Sequence, residues 1–341
     1  MARVTPWQVD ESDYPASGTF EEKVRFLLRY AVLAPSGHNT QPWKFAISDE
    51  GVLVYSEQER RLPVADPDDR ELVMSIGAAI MNLRVAAARF AFSSEVAPTP
   101  DPDNADLLAL VRLKEGGGAD QAQGELFEAI VRRRTNRFHY ENKSLSESDL
   151  VKLAGVGRMG GAAVRIITEA QVKSALAGLL FEGDVTRMSD KAFREELALW
   201  MRPANTEEYD GLAGDSLGLS GMISRMAPWM TKTFNMGKST GKKDRALAKE
   251  SAALVVALSG DQRADLLDAG QLFEKFVLTG TLLGVQYSFF NLAVEVPELR
   301  QKIKALLAVE ELPQLLFRIG YTAAGELKPA ARLPLEDVFL S

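Results

Sequence analysis

Residues 34–43 have the sequence APSGHNTQPW and follow residues 19–33, whose apolar spacing predicts an amphipathic helix. Proline, serine, glycine and asparagine end a helix and leave backbone N–H and C=O groups free in a tight loop. Side chains this small let the backbone come close to a flat ligand. The alternative for this stretch alone is an ordinary helix end followed by a tryptophan anchored in the core.

A second polar cluster, RRTNR at residues 133–137, follows a helix predicted over 125–132. Guanidinium groups bind phosphate oxygens in pairs, and the hydroxyl among the arginines adds a donor, so the cluster suits a phosphate dianion. The alternatives for an isolated cluster are a solvated basic face or cations that favour the last turn of a helix.

The order of the predicted elements repeats along the chain. In the first half, a helix predicted over about 68–90 contains Gly77 and is followed by a loop and a strand. In the second half, a helix containing Gly280 is predicted to reach Asn291, and a connector and a strand follow. Repeated order at this spacing is typical of related units in tandem.

This repeat predicts an α+β fold of two half-units, each with a small, mainly antiparallel sheet flanked by helices. The first half-unit would span residues 1–115 and the second residues 122–341. The Gly-, Ala- and Gln-rich stretch 114–124 forms the boundary. The alternative is a succession of two unrelated helix-then-strand segments.

The stretch from about 202 to 249 is rich in Gly, Met and Ser and is predicted to be irregular. Within it, residues 217–234 carry apolar side chains among glycines, which suggests a mobile lid over a ligand. The alternative is a pair of helices packed on the surface. Two motif-like strings lie here. GDSLG at 214–218 lacks the strand and the later histidine of a hydrolase elbow, and GKSTGKK at 237–243 is too short for a phosphate loop.

The bulk composition of the 341-residue chain excludes several classes of function. It has no cysteine, two histidines and a net charge of −7, which leaves no disulfide, thiol nucleophile, iron–sulfur cluster or zinc motif. Neither half is strongly basic, so nucleic acid is not an expected partner. The first ten residues lack the apolar core of a signal peptide, and the longest clean apolar run, 252–258, is far too short to cross a bilayer. We expect a soluble, cytoplasmic protein with no membrane partner.

Taken together, the two clusters resemble motifs of the nitroreductase superfamily of FMN flavoproteins. Residues 35–43 are similar to its Pro-Ser-x-x-Asn-x-Gln-Pro-Trp loop, and residues 133–137 to its Arg-Arg-Ser-x-Arg phosphate motif. RLPLE at 332–336 resembles the C-terminal segment whose arginine also reaches the phosphate. In that family, each site combines the arginine motif of one subunit with the loop of the other.

The distribution of the motifs resembles the fused, pseudo-dimeric Acg-like subgroup. The first half has the loop but no arginine motif ahead of its first helix, whereas the second half has the arginine motif and VGRMGG at 156–161 in place of the loop. IGAAIMNLR at 76–84 and EVPELR at 295–300 also look like that subgroup. The complementary loss implies one complete FMN site, shared by the two halves, and a protein that is monomeric as an internal pseudo-dimer.

The resemblance implies roles for residues of both halves. Those expected at the phosphate and ribityl end of FMN are Arg133, Thr135, Arg137 and Arg332, with Arg134 contributing its backbone or stem. Those expected along the isoalloxazine are Pro35, Ser36, Gly37 and Asn39, with Asn291 and Leu292 near its N5 edge. A cation near N1 and O2 would stabilise the reduced, anionic ring, and Arg133 or Arg137 is the candidate.

The implied activity is that of an FMN-dependent oxidoreductase that takes hydride from NADH or NADPH and passes electrons to a small acceptor. The flavin carries the chemistry, so no catalytic side chain and no metal are assigned. The alternative is a flavin-binding or flavin-sequestering protein whose lid blocks the site. In either case, replacing Arg133 or Arg137 is expected to weaken FMN binding more than it lowers folding stability.

Overall fold

The computed structural model describes residues 6–118, 120–322 and 327–340, so residues 1–5 of the N-terminal stretch considered above lie outside it. Its strands are β1 (Trp43–Ser48), β2 (Gly51–Ser56), β3 (Phe92–Pro98), β4 (Leu107–Glu115), β5 (Arg158–Met159), β6 (Ala162–Ile167), β7 (Met201–Arg202), β8 (Leu212–Ala213), β9 (Ala253–Ser259), β10 (Gln286–Phe289) and β11 (Leu312–Gly320). Its helices are α1 (Phe20–Ala31), α2 (Arg70–Arg89), α3 (Gln121–Gly124), α4 (Phe127–Arg132), α5 (Glu147–Ala154), α6 (Ala170–Ser189), α7 (Lys191–Leu199), α8 (Gly221–Thr233), α9 (Gly237–Glu250), α10 (Arg263–Leu282) and α11 (Pro297–Leu307).

The two main sheets have the same connectivity. In the first, the strand order is β1-β2-β4-β3, and α2 lies in the chain between β2 and β3. In the second, the order is β6-β9-β11-β10 with the short β5 beside β6, and α10 lies between β9 and β10. Neighbouring strands of both sheets pair in antiparallel fashion. The predicted α+β class, with two tandem sets of helices and small antiparallel sheets, is confirmed.

Helices α2 and α10 cross at the centre of the molecule through one glycine each. A Cβ on Gly77 would lie 2.3 Å from the carbonyl oxygen of Leu267, and a Cβ on Gly270 would lie 2.0 Å from that of Met74. Only glycine permits so close a backbone approach. Each glycine stands seven residues after the first residue of its helix, so the structural repeat pairs Gly77 with Gly270 and not with Gly280.

Two details of the predicted elements are wrong. Helix α10 ends at Leu282 and does not reach Asn291, because Gly284 takes a φ of 73° and the chain turns into β10. Asn291 instead begins a short 3-10 turn. Strand β3 was not predicted because its sequence, FSSEVAP, does not alternate cleanly between apolar and polar residues, and the strand is only half-buried at the sheet edge.

The C-terminal segment of the second half-unit crosses over and extends the first sheet. The backbone N–H of Phe45 in β1 donates to the carbonyl of Val338 (2.9 Å), and that of Leu340 donates to the carbonyl of Phe45 (2.7 Å). The expected boundary at 114–124 covers the last two residues of β4 and the whole of α3, so it lies along the chain after the first main sheet and before the second. The two half-units are nevertheless joined through this returning segment.

Helices α8 and α9 cover most of the segment 202–249, which was expected to be irregular. Two of its glycines, Gly237 and Gly241, are close-packing positions against α6. A Cβ on Gly237 would lie 2.9 Å from the carbonyl oxygen of Asp184, and a Cβ on Gly241 would lie 2.8 Å from the ring of Phe181. The expectation of irregular structure is wrong over these helices, and the alternative of a surface helix pair describes them.

Helix α2 passes a length and composition test for a membrane span, and it is the one described helix that does so. However, 83% of its most apolar window is buried inside the fold. Burial of this extent is typical of a core helix, and α10 is the helix that covers it.

Candidate functional site

The APSGHNTQPW loop has a strained backbone that the second half-unit holds in place. His38, Asn39 and Gln41 have φ angles of 48°, 57° and 55°, in the left-handed region that side chains rarely adopt. The side-chain amide of Asn39 donates to the carbonyl oxygens of Gly211 and Ala331, both at 3.1 Å. These contacts offset the strain, because each satisfies a polar group that the loop would otherwise bury.

The side chain of Gln41 completes this anchoring. Its amide nitrogen donates to the carbonyl of Tyr209 (2.7 Å), and its amide oxygen accepts from the backbone N–H of Leu333 (2.8 Å). Arg332 donates to the side-chain oxygen of Asn39 (2.7 Å). Asn39, which was expected along the isoalloxazine, therefore binds two protein segments and does not line the cavity beside the loop.

That cavity encloses about 280 Å³ and is lined by both half-units. The first half-unit contributes Pro35, Ser36 and Gly37, and the second contributes Arg137, Asn291 and Leu292. Its apolar walls are Met74, Ala78, Leu180, Phe193, Leu197, Leu212, Phe273, Phe289, Phe290 and Leu315. The structure thus brings the loop of one half-unit to face part of the arginine motif of the other.

Arg133 lies beneath this cavity, in the core between the half-units. Its guanidinium pairs with Glu274 (3.2 Å) and donates to the hydroxyl of Tyr287 (2.7 Å) and the carbonyl of Leu33 (2.8 Å). Arg133 is 2% exposed and Glu274 is fully buried. Burial raises the pKa of Glu274 to about 7 despite the adjacent charge of Arg133. These contacts give Arg133 a structural role that is independent of any contact with a ligand.

Thr135 and Arg332 line a second, larger cavity of about 830 Å³. Thr135 donates to the hydroxyl of Tyr287 (3.1 Å), and burial lowers the pKa of Arg332. Arg134 lies beside the second cavity. Its guanidinium donates to the carbonyls of Val131, Arg133 and Leu327 and stacks over Trp7, 4.6 Å from the ring centre. Trp7 and Leu327 both line that cavity. The arginine motif is therefore divided, with Thr135 facing one cavity and Arg137 the other.

The strand β8 region borders both cavities. Leu212 lines the first cavity, and its neighbours Gly211 and Ala213 line the second. In an extended backbone, the side chains of successive residues point in opposite directions. Because Gly211 also bonds to Asn39 of the loop, this short strand is part of the anchoring described above.

Arg137 is the cation of the first cavity. No hydrogen bond or ion pair joins its guanidinium to any described residue, and burial lowers its pKa. Beside it, burial first and the charges of Arg137 and Arg187 second lower the pKa of His38 to about 4. His38 is therefore neutral at pH 7. An arginine without a partner inside a cavity is a donor that is positioned for an anionic or oxygen-rich ligand.

Carboxylates of both half-units also line this cavity, and the motifs did not reveal them. Asn291 donates to Glu71 across the half-units (3.1 Å), and Arg187 donates to Glu295 (3.0 Å). Burial, reinforced by Glu295, raises the pKa of Glu71 well above its usual value, and burial raises that of Glu295 to about 7. Asn291 reaches the cavity as expected, but its side chain is bound to Glu71 and to the backbone N–H of Leu316 (3.1 Å).

Asp184 and Asp244 are two more acids that the sequence analysis missed. Burial raises the pKa of Asp184 to about 8, with a further contribution from Asp244, whose own pKa burial raises to about 6. One carboxylate oxygen of Asp184 is buried without a hydrogen-bond partner in the described residues. The sequence does carry a signal for Asp184, because this acid interrupts the buried apolar stripe that contains Ala177 and Leu180 on α6.

The segment expected to act as a lid lies away from both cavities. None of residues 217–234, all of which the structure describes, lines either one. In the stretch 202–249, only Leu212 and Asp244 line the first cavity. The position of residues 217–234 therefore gives no support to a site that they block.

Comparison with known proteins gives relatives along nearly the whole chain. The chain is 28% identical over 322 residues to "Putative NAD(P)H nitroreductase Rv3131" of Mycobacterium tuberculosis, covering 93% of this chain and 91% of the relative. It is 25% identical over 319 residues to "Putative NAD(P)H nitroreductase acg" of the same organism, covering 93% and 95%. No family model matches. The resemblance to nitroreductase-like proteins of the Acg-like subgroup is confirmed.

Solved structures of similar proteins match only part of the chain. A nitroreductase with bound FMN from Bacteroides fragilis is 15% identical, with a TM-score of 0.34, and the match covers 62% of this chain and 95% of that one. A BluB-like flavoprotein from Clostridium difficile is 13% identical, with a TM-score of 0.38, and the match covers 62% and 96%. Scores this low carry no argument about function.

Proposed function

We propose that the chain binds one FMN between its half-units and acts as an oxidoreductase that takes hydride from NADH or NADPH and reduces a small acceptor. The observation that carries this proposal is the cavity lined by Pro35, Ser36 and Gly37 on one side and by Arg137 on the other. Similarity over 93% of the chain to proteins named as NAD(P)H nitroreductases supports it.

The residues present fit FMN at both of its ends. Apolar and aromatic walls with a few polar groups are typical of a site for a flat cofactor, and Phe273, Phe289 and Phe290 supply them in the first cavity. Thr135 and Arg332 offer a hydroxyl and a guanidinium in the second cavity, which is the chemistry that a phosphate requires. Arg137 would meet the ring, and Thr135 and Arg332 the phosphate.

Arg137 is the residue to which we assign electrostatic stabilisation of the reduced ring. FMN, when bound, supplies the redox chemistry. A fixed guanidinium in a cavity of low polarity stabilises negative charge that develops beside it more strongly than the same group in water. Of the two candidates, Arg137 is favoured over Arg133, because Arg133 already neutralises Glu274.

The remaining residues of the first cavity determine which groups can enter it. Ser36 and Gly37 present small side chains and backbone, so a planar group can come close to them. Four acids that line the first cavity can supply protons and hydrogen bonds near neutral pH, because burial raises the pKa of each. They are Glu71, Asp184, Asp244 and Glu295. We propose further that the chain is a cytoplasmic monomer in which the second half-unit takes the place of a partner subunit.

The test of the site is FMN affinity in Arg137→Gln, with Arg165→Gln, an exposed arginine outside the site, as the matched control. A charge-assisted contact is worth about 1.5–3 kcal/mol, so FMN should bind roughly tenfold or more weakly to Arg137→Gln and equally well to the control. Fluorescence titration gives the affinities, and released flavin against protein should approach one per chain. Equal affinity in parent and Arg137→Gln would remove Arg137 from the site, and a ratio near two would overturn the shared site.

A second measurement separates a reductase from a flavin store. The FMN-loaded protein is mixed anaerobically with NADH or NADPH while the flavin absorbance is followed. We expect bleaching, because the expected lid, residues 217–234, lines neither cavity. A protein that holds FMN and does not bleach with either nucleotide would contradict the proposed donor and favour sequestration.

A further inference from the structure

Helix α8 has its apolar and polar faces reversed relative to an ordinary surface helix. The side chains that face the protein are Ser224, Ala227 and Thr231, which are 1%, 7% and 8% exposed. The side chains that face outward include Met222 and Trp229, which are 76% and 56% exposed. A surface helix normally buries its large apolar residues and exposes its polar ones.

The outward apolar residues form one continuous group. Met222, Met226 and Trp229 recur at the spacing of one helix face, Ile223 lies beside them, and the ring of Trp229 contacts Phe234 edge-on with centroids 5.5 Å apart. Together with Met236, these residues supply half of the large apolar side chains that are exposed in the described chain. Such a concentration in one place, unlike scattered exposed leucines, marks an interaction surface.

The segment that carries this group is rich in cations. Residues 217–249 contain seven cations and one acid, although the whole chain carries a net charge of −7. The cations are Arg225, Lys232, Lys238, Lys242, Lys243, Arg245 and Lys249, and all are exposed. The single acid, Asp244, points into the cavity described above. Lys232 pairs with Glu195 (3.4 Å), and Glu250 stands at the margin of the segment. We call the exposed side chains of α8 and α9, with the linker 234–236, the basic-apolar face.

We propose that the basic-apolar face docks the protein on the surface of an anionic lipid bilayer. An apolar helix face with tryptophan and methionine enters the boundary between headgroups and acyl chains, while lysines of the same segment meet anionic headgroups. The site is peripheral and is compatible with the absence of an exposed membrane-spanning helix in the described residues. The expectation that the protein has no membrane partner rested only on membrane spans and signal segments, and neither criterion detects a peripheral site. This inference does not depend on the proposed flavin chemistry.

Charge favours this occupant over a second copy of the chain. A twofold dimer through the basic-apolar face would bring the same cations of two copies together, and like charges at close range oppose association. Anionic lipids instead present an extended negative surface to every cation at once. A single helix with a short linker presents the apolar side chains, which suits insertion into a fluid boundary.

The experiment is flotation of the full-length protein with vesicles of phosphatidylglycerol and phosphatidylcholine, and with vesicles of phosphatidylcholine alone. We expect binding to the anionic vesicles at low ionic strength, little binding to the neutral ones, and loss of binding as salt is added. Each cation near an anionic surface contributes about fivefold in affinity, so Lys238→Gln with Lys242→Gln should weaken binding roughly tenfold or more. Lys114→Gln with Lys152→Gln, two exposed lysines elsewhere, is the matched control and should bind as the parent does.

The apolar half of the proposal is tested by Met222→Ser with Trp229→Ser. This variant should lose most of its binding to anionic vesicles, whereas Val151→Ser with Leu306→Ser, which removes two exposed apolar side chains elsewhere, should not. Acyl-brominated lipids should quench tryptophan emission in the parent and much less in Trp229→Phe. Failure to float with anionic vesicles at low salt, or flotation that survives both patch variants, would overturn the proposal. A parent that elutes as a dimer, and as a monomer only after Met222→Ser with Trp229→Ser, would assign the face to a second copy instead.

Discussion

The junction between the half-units and the basic-apolar face use the same residue types in opposite ways. At the junction, α2 and α10 bury their apolar side chains against each other, and the charge of Arg133 is neutralised by Glu274. On the basic-apolar face, Met222 and Trp229 stay in solvent, and the exposed cations have few acids near them. The composition of a helix therefore does not reveal whether its apolar side chains are buried or exposed. That depends on what the rest of the chain places over it.

The difference predicts that substitutions at the junction change folding stability and that those on the basic-apolar face do not. Desolvated charges and close backbone contacts are expensive to disturb, whereas exposed side chains usually change stability by less than about 0.5 kcal/mol. Three variants test how sharp this division is.

The largest effect is expected for Arg133→Gln. It leaves Glu274 buried without its cation, which costs about 3–5 kcal/mol when the carboxylate is charged. Because burial already raises the pKa of Glu274 to about 7, the cost should shrink below pH 7, where the carboxyl takes up a proton. Denaturant unfolding at two pH values measures this.

Two variants serve as controls for Arg133→Gln. Arg225→Gln on α8 should leave stability almost unchanged, and Arg133→Gln combined with Glu274→Gln should recover part of the loss. A small, pH-independent loss in Arg133→Gln would show that the buried ion pair does not hold the junction. This expectation differs from the sequence-based one, in which replacing Arg133 weakens FMN binding more than it lowers folding stability.

A smaller loss is expected for Gly270→Ala. The added Cβ would meet the carbonyl oxygen of Met74 at 2.0 Å, so α2 and α10 must separate, at a cost of about 2–3 kcal/mol. Gly178→Ala on α6 is the matched control, since no atom lies within 4 Å of its Cβ position. There the alanine should stabilise by roughly 0.5–1 kcal/mol, because it favours helix. Equal effects of the two substitutions on the unfolding midpoint would contradict the crossing.

The smallest effect is expected for Asp184→Asn, and it should depend on pH. Burial raises the pKa of Asp184 to about 8 in the folded protein, well above the value of about 4 in an unfolded chain. Between these values the folded state holds the extra proton, so its stability falls as pH rises through this window. The amide does not titrate. Asp184→Asn should therefore exceed the parent in stability at pH 8 by about 1 kcal/mol or more.

At a pH below 5 the same variant and the parent should differ little. Asp103→Asn, at an exposed acid away from both cavities, is the matched control for the substitution itself. A constant offset for Asp184→Asn across the range would mean that Asp184 is not protonated by its burial.

Local patterns predicted the elements whose signals are local. The helices expected over 19–33 and about 68–90 are α1 and α2, whose ends lie within about two residues of those bounds. Motif matching likewise placed the loop and the arginines, because each is a short contiguous string. The structure then added that the loop and Arg137 line one cavity. The ligand roles of these residues stay predictions.

Features that depend on distant residues could not be read from the sequence. The glycines of α9 look like flexibility until α6 is placed against them, and Gly77 cannot be matched to Gly270 without knowing that their helices cross. The carboxylates Glu71 and Glu295 come from opposite half-units, so no local string joins them. The two cavities between which the arginine motif is divided both border β8, which is a two-residue strand.

The return of the C-terminal segment to β1 has a consequence for how the protein is made. During synthesis the first half-unit leaves the ribosome early, but the hydrogen bonds of Phe45 to Val338 and Leu340 must wait for residues almost three hundred positions later. Until then β1 is an open edge strand, and open edges are where newly made chains pair with one another. The order of translation thus leaves the early half-unit exposed for nearly the whole time of synthesis, so the yield of folded protein should respond to chaperones that cover nascent chains.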